Sequence, residues 1–185
     1  MKLKTYQILN ITGLLFVLVV NYLANALPIA GKTTGELSDL YPSLFTPAGF
    51  TFSIWGVIYL LLILFIIYQS KGLFSNSKIP RNRFLYRIDI WFFISSLANA
   101  FWIFAWHYQV VWLSMLLMLI LFFSLLMVYL RLGVGHRIVS RGERYLVQLP
   151  FSVYLGWITV ATIANAAALL IKYNWNGFGL SDEFW

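Results

Sequence analysis

The sequence predicts an all-α integral membrane protein, a bundle of five transmembrane helices with a cytoplasmic N-terminus and an external C-terminus. Hydrophobic residues make up 61% of the 185 residues and charged residues only 10%, whereas soluble domains carry about 25% charged residues. A soluble fold of this size cannot hide that much apolar surface. Five apolar segments follow one another, and the basic residues gather in alternate loops. These observations together indicate a membrane bundle.

The five predicted spans form a single domain over residues 1–185. A helix needs about 20 predominantly apolar residues to cross the hydrocarbon core. The segments that meet this requirement are approximately 7–27, 49–68, 88–106, 110–130 and 145–171. Residues 107–109 separate the third and fourth segments, so we expect a tight external turn and an antiparallel hairpin there.

The first segment has two interpretations. A basic N-terminus, an apolar run and Ala24-Asn25-Ala26 resemble a secretory signal peptide with its cleavage site. The run is longer than a usual signal core, however, and Asn10, Asn21 and Asn25 lie close to one helical face. A cleaved segment has no need for a stripe of Asn residues, so we favour a retained transmembrane helix.

The charge distribution predicts the orientation. Of the 13 Lys and Arg residues, all but Lys32 and Lys172 lie at the N-terminus or in the loops after the second and fourth spans. Cytoplasmic loops carry the excess of basic residues, which places the N-terminus inside. The net charge of +7 then faces anionic lipid headgroups, and nucleic acid is not an expected partner. Short basic loops favour a bacterial plasma membrane.

The external segment 28–46 predicts a lid. Long ordered loops are frequently binding elements, and the alternative is a floppy connector. Thr33 and Glu36 have the spacing of a capping box, which predicts a short helix before Pro42. Thr46 and Pro47 predict the N-cap and first residue of the second span.

At the other end of the chain, Ser181-Asp182-Glu183 has the polar, acidic character of a helix start, and the chain ends two residues later. We interpret this end as the boundary of a fragment from which a further span has been removed.

Three of the spans present large aromatic rings interleaved with uncharged hydrogen-bonding groups, and the fifth span is expected to be the central wall of the bundle. Such faces suit a flat, largely apolar ligand with a few polar atoms, because rings stack on its faces and amides bond its edges. Helix packing and interfacial aromatic belts are the structural alternative. The candidate ligand-binding residues are Trp55, Tyr59, Asn99, Trp102, Trp157 and Asn165.

Several chemistries are not expected. The chain has no Cys, and His107 and His136 fall in predicted loops, so no span offers a haem ligand or a metal site. Asp89, at the start of the third span, should pair with Arg87 or another nearby cation. No carboxylate lies near the membrane midplane, which argues against an ion-coupled transporter. No catalytic triad, carboxylate pair or phosphate-binding Gly loop is present, so side-chain catalysis is not expected.

Three sequence stretches together resemble one family. They are TPAGFTFSIWGVIY at 46–59, NAFW at 99–102 and YLGWITVATIAN at 154–165. In this order they are similar to the second, third and fifth helices of the translocator protein and tryptophan-rich sensory protein (TspO/MBR) family. The chain resembles a divergent bacterial branch, because a single Pro47 stands for the doubled proline and Val153 and Val160 replace a Pro and a Phe.

The resemblance implies a five-helix membrane protein, often a homodimer, that binds porphyrins and other flat hydrophobic molecules under the first loop without an obligatory cofactor. The expected function is therefore membrane binding or sensing of a porphyrin- or haem-type ligand, linked to tetrapyrrole regulation and stress. The alternatives are an uncoupled transporter of a small hydrophobic or zwitterionic solute and a light-dependent porphyrin-degrading protein. Dimerisation is expected from the resemblance alone, because no Gly-x-x-x-Gly pair lies within a span.

Overall fold

The computed structural model describes residues 2–27, 31–71, 73, 82–179 and 181, and within these residues the chain is helical with no strand. Gly49–Ser53 and Gly177–Gly179 form 3₁₀ turns, and Arg144–Gln148 form a π-helical turn. The helices are α1 (Leu3–Ala26), α2 (Thr34–Ser38), α3 (Ile54–Ser70), α4 (Phe84–Ile88), α5 (Trp91–His107), α6 (Val111–Leu132), α7 (Arg141–Glu143) and α8 (Leu149–Lys172).

Four helical segments in the described part of the chain are long and apolar enough to cross a membrane: Leu3–Ala24, Gly49–Ser70, Val111–Leu132 and Arg141–Lys172. The all-helical class and these four membrane helices confirm the coarse prediction. The predicted third span (88–106) begins at a break in the chain: Ile88 ends α4, φ is 56° at Asp89, and α5 begins at Trp91. With 17 residues, α5 is about 25 Å long at 1.5 Å rise per residue.

The long helices form a closed ring. Helix α1 packs on α5, α5 on α6, α6 on α8, α8 on α3, and α3 returns to α1. The prediction that the fifth span is the central wall is wrong, because α5 has 11 of its 17 residues buried and α8 only 7 of 24. The physical reason is that α5 lies between α1 and α6 with α2 against its end, whereas one side of α8 exposes apolar residues.

The polar face predicted on α1 is directed into the bundle. Asn10, Leu14, Val17 and Asn21 are all buried, and Gly13 brings α1 close to α5, with an added Cβ only 3.1 Å from the Ser96 side chain. The side chain of Asn25 and residues 182–185 lie outside the described residues, as does most of the predicted helix start at the C-terminus.

The placement of His107 differs from the sequence-based expectation, whereas the ion pair of Asp89 falls within it. His107 is not in a loop: it is the last residue of α5 and only 1% exposed. The helix continues through His107, and the chain turns at Gln109, where φ is 55°. In this last helical turn, the His107 Nδ1 lies 2.8 Å from the Ile103 carbonyl oxygen. Asp89 pairs with a cation, as expected, and of the cations that the sequence left open this is Arg131, at 3.4 Å. Arg87 contacts Glu143 at 3.2 Å.

The first loop contains the predicted short helix but not the predicted helix start. The capping box is confirmed, with Thr33 as N-cap of α2 and reciprocal bonds to Glu36. Thr46 does not cap the second span: its hydroxyl donates to the Tyr41 carbonyl oxygen at 3.0 Å and accepts from the Ser43 N–H at 2.8 Å. The hydroxyl closes a local turn, so helical structure begins later, at Gly49.

Candidate ligand-binding site

Trp55, near the start of α3, is the centre of an aromatic cluster. Its ring stacks on Tyr59 one turn later, with centroids 5.5 Å apart. From α8, Tyr154 and Trp157 contact it edge to face, at centroid distances of 5.9 and 6.2 Å. Edge-to-face and offset arrangements are the favoured geometries for aromatic pairs. The i, i+4 spacing on α3 and the i, i+3 spacing on α8 therefore join these two helices through one set of rings.

A second aromatic pair comes from α5. Trp102 and Trp106 stack with centroids 5.9 Å apart, again at i, i+4. Between this pair and Trp55 and Trp157 lies a chamber of about 30 Å³, to which Asn165 also contributes. The chamber has room for about one water molecule. The four Trp side chains around it therefore leave little free space between them.

The first loop covers this chamber. The Trp106 indole N–H donates to the Thr34 carbonyl oxygen at 3.2 Å, and the Tyr41 ring lies 5.9 Å from the Trp106 ring. Leu37 of α2 is buried. Two hydrogen bonds from Thr33, first from its backbone N–H and then from its hydroxyl, lower the pKa of the Glu36 carboxyl and stabilise its charged form. The predicted lid is thus a folded element attached to α5.

A larger groove lies beside the chamber, between α1 and α3 under residues 33–39. Its volume is about 820 Å³, and Phe52 and Trp55 line both it and the chamber. Gly56 has no atom within 4 Å of an added Cβ, so the absence of a side chain there keeps the groove open. Trp55 is therefore the partition between the narrow chamber and the wide groove.

Buried Asn side chains link the helices around these cavities by hydrogen bonds. Asn99 of α5 accepts a hydrogen bond from Asn21 of α1 at 3.0 Å and donates one to the Tyr154 hydroxyl at 2.8 Å. This chain of contacts links α1, α5 and α8. Asn165 of α8 accepts from the Trp102 indole at 2.9 Å and donates to the Ser114 hydroxyl at 3.0 Å, which links α8 to α5 and α6.

Five of the six predicted site residues line the two cavities, and the sixth does not. Trp55 and Tyr59 line the groove, and Trp55, Trp102, Trp157 and Asn165 line the chamber. Asn99 lies outside both linings and holds the helices together. Their role in ligand binding stays a prediction.

The sequence reasoning missed Ser114, the partner of Asn165. The signal was available, since a polar residue inside an apolar span generally faces protein. It also missed Glu36 and Asp39, which line the mouth of the groove. Their position could not be predicted from the sequence, because it depends on the first loop lying over α1 and α3 in the folded protein.

Two buried donors in the cluster have no hydrogen-bond partner within the described residues. They are the Tyr59 hydroxyl and the Trp157 indole N–H. Buried polar groups are nearly always paired, and a pair of unpaired donors beside a cavity suits a ligand that carries acceptor atoms. The same part of the chain contains no group of three or more side chains able to hold a metal ion.

The comparisons with known proteins address the family. Neither the curated proteins nor the solved structures contain a match to the chain. The family described as TSPO-like protein matches residues 7–185, which includes every segment of the aromatic cluster. The chain therefore belongs to the TSPO-like family and is a membrane protein of the TspO type.

Proposed function

We propose that this protein binds a flat, largely apolar ligand such as a porphyrin in the groove between α1 and α3. We also propose that the protein is a sensor of this ligand, and that occupancy of the groove is the signal. The observation that carries the proposal is the combination of an aromatic wall, an open groove and two unpaired donors at one place. A ligand face stacks on Trp55, and an acceptor atom at its edge meets the Tyr59 hydroxyl beside the groove; the Trp157 indole N–H, which belongs to the chamber, is reached only when Trp55 or Phe52 moves.

Cavity size favours the groove over the Trp chamber. Ligand sites usually have volumes of about 300–1,000 Å³, and the groove, at about 820 Å³, falls in this range. The chamber of about 30 Å³ does not. A ligand edge enters the chamber only if Trp55 or Phe52 moves. Movement of these two side chains would transmit ligand binding in the groove to the first loop, which covers the chamber.

The membrane arrangement that fits this site has five spans. We include α5 as the third span, because its 17 residues pack against α1, α6 and α2. It also runs antiparallel to α6. The distribution of basic residues supports a cytoplasmic N-terminus. The lid and the groove mouth then face the exterior.

The far ends of α1 and α3, beyond the residues that line the groove, support binding rather than passage. There α1 and α3 are joined by buried amides: the Gln7 Nε2 donates to the Gln69 carbonyl oxygen at 2.6 Å, and the Asn10 Nδ2 donates to the Gln69 Oε1 at 2.9 Å. Uncoupled transport of a small solute requires this link to open. We therefore place transport second, and a proteoliposome flux assay separates the two functions.

A porphyrin titration tests the proposal. Protoporphyrin IX is added in the dark to the purified protein in nanodiscs, and quenching of tryptophan fluorescence is followed. Trp55→Ala should weaken binding about tenfold, since one aromatic stacking contact contributes about 1–1.5 kcal/mol. Trp112→Ala is the matched control, because Trp112 is exposed on α6 and lines neither cavity. Equal saturable binding by both variants and the wild type would place the ligand elsewhere.

A further inference from the structure

A second polar cavity lies at the end of the bundle opposite α2. It occupies about 330 Å³ between the turn after α6 and the π-helical turn before α8. Its polar lining comes from Arg137, Arg144, Tyr145, Gln148 and Ser152. None of these residues belongs to the aromatic cluster, the groove or the lid. Single π-helical turns are rare and frequently occur at functional sites.

The floor of this cavity offers an unused hydrogen-bond donor. Gln148 is 5% exposed, and its Nε2 has no partner within the described residues. The backbone oxygen of the same residue accepts from the Ser152 hydroxyl at 2.8 Å, which fixes the local helix geometry. A buried amide N–H₂ without an acceptor is costly, so an acceptor from outside the chain is favoured here.

The two arginines at the cavity have no carboxylate partner in the described part of the chain. The nearby acids are already used, since Glu143 pairs with Arg87 and Asp89 pairs with Arg131. The segment 72–81 contains no Asp or Glu and so supplies no further acid from the loop between α3 and α4. The cavity thus combines two uncompensated guanidinium groups with a free amide donor, a combination that matches an anion rather than an apolar ligand.

The backbone turn before Arg137 holds this side chain in place. Gly133 has φ of 62°, and its carbonyl oxygen accepts from the N–H groups of His136 and Arg137 at 3.1 and 3.0 Å. A Cβ on Gly133 would lie 2.8 Å from the Arg137 Cγ. Only glycine permits both the backbone angle and this close approach. The stem of Arg137 therefore lies against the turn at Gly133.

The location of the cavity selects a membrane lipid as the source of the anion. It lies where two apolar helices, α6 and α8, reach the membrane surface. Tyr145, Leu149 and Ile138 are exposed around it, which is the mixture of aromatic, aliphatic and basic side chains found at lipid headgroup depth. Basic pockets between membrane helices at the cytoplasmic side are suited to anionic headgroups.

We propose that Arg137, Arg144 and Gln148 bind the phosphate group of an anionic phospholipid. The phosphodiester accepts hydrogen bonds from both guanidinium groups and from the Gln148 amide, and the acyl chains follow the apolar surface beside Leu149. Guanidinium groups bind phosphate bidentately, which a point charge cannot do. This site is independent of the groove between α1 and α3.

Native mass spectrometry of protein released from nanodiscs tests this proposal. Nanodiscs of phosphatidylcholine with a minor fraction of phosphatidylglycerol are compared for the wild type, Arg137→Gln/Arg144→Gln and the matched control Arg141→Gln. Arg141, the first residue of α7, lies between Arg137 and Arg144 in the segment that joins α6 to α8; it is exposed but does not line the cavity. The double variant should lose about 25-fold in preference for phosphatidylglycerol, about fivefold per arginine. Arg141→Gln should retain the preference.

A second variant and a competitor complete the test. Gln148→Leu removes the amide donor without changing the charge, and it should reduce phosphatidylglycerol retention severalfold while circular dichroism confirms the helical fold. A loss of about fivefold in Arg141→Gln, which is the loss expected from any one surface arginine, would show a diffuse charge effect and overturn the proposal. Displacement of the lipid by inorganic phosphate would overturn the assignment to a lipid, because a soluble phosphate would then be the ligand.

Discussion

Replacing Asn165 by Leu should destabilise the bundle by removing the polar contact shared by three helices. Asn165 accepts from the Trp102 indole at 2.9 Å and from the Ser114 hydroxyl at 3.3 Å, and it donates to that hydroxyl at 3.0 Å. Leu has the same number of side-chain heavy atoms as Asn and the same branch at Cγ, so the change deletes hydrogen bonds while it keeps the overall shape of the side chain. The contact links α8 to α5 and α6, and no other residue links these three helices through side-chain hydrogen bonds in the described structure.

The magnitude follows from which groups are left unpaired. Ser114 keeps a bond to the Val111 carbonyl oxygen at 2.8 Å, so its hydroxyl remains satisfied. The Trp102 N–H is buried and loses its acceptor. Hydrogen bonds between membrane helices average about 0.6 kcal/mol with a maximum near 1.7, and a buried donor without a partner costs about 1–3 kcal/mol in soluble proteins. We expect a loss of about 1–2 kcal/mol.

The assay is reversible unfolding in mixed micelles of a mild detergent and dodecyl sulfate, followed by far-UV circular dichroism. A double-mutant cycle with Trp102→Phe, which removes the indole donor, should give a coupling energy of about 0.6–1.7 kcal/mol. Thr159→Val is the control, because the Thr159 hydroxyl is exposed and bonds within its own helix. A coupling energy of zero would refute the reasoning, since Trp102 and Asn165 would then not contact one another in the folded protein.

Three further perturbations probe other parts of the structure. Below pH 4.5, the usual pKa of Glu36, its capping contribution should decrease as pH falls through its lowered pKa, because protonation removes the charged acceptor. The hydrogen-exchange protection factors of the α2 amides should decrease there, and Thr33→Ala should reduce the pH dependence, because it removes the hydroxyl bond to Glu36 and leaves the backbone N–H bond. Gln69→Leu should cost about 1–2 kcal/mol in the same unfolding assay, because it deletes its side-chain bonds to α1. Gly13→Leu should cost about 1–3 kcal/mol through overpacking against α5, whereas Gly156→Leu, with nothing within 4 Å, should be nearly neutral.

The groove also has a charge preference that a ligand series can measure. Glu36 and Asp39 line its mouth and neither has a cation within salt-bridge distance in the described residues. A flat ligand with a cationic substituent should therefore bind more tightly at low salt than its anionic analogue, and Glu36→Gln/Asp39→Asn should reduce the difference. The measurement is the ratio of the two dissociation constants, and a ratio that the double variant leaves unchanged would exclude these carboxylates from the mouth.

The sequence by itself determined the helical membrane class, the capping box of the lid and the faces of the aromatic helices. These properties are local: the apolar length of a segment, the i, i+3 and i+4 spacing of Trp55, Tyr59, Tyr154 and Trp157, and the hydrogen bonds between Thr33 and Glu36. Each depends on residues within one or two helical turns. A periodic pattern predicts which side of a helix is polar, and for α1 and α8 the predicted polar side is the buried side.

Only the tertiary structure decided what those faces contact. Asn99 and Trp102 lie one turn apart on α5, yet Asn99 connects α1 to α8 and Trp102 lines the chamber. The central position of α5, the pairing of Asp89 with Arg131 and the cavity at Arg137 all depend on which helices are neighbours in the ring. Spacing along the chain carries no information about that order, because each apolar helix face could pack equally well against several others.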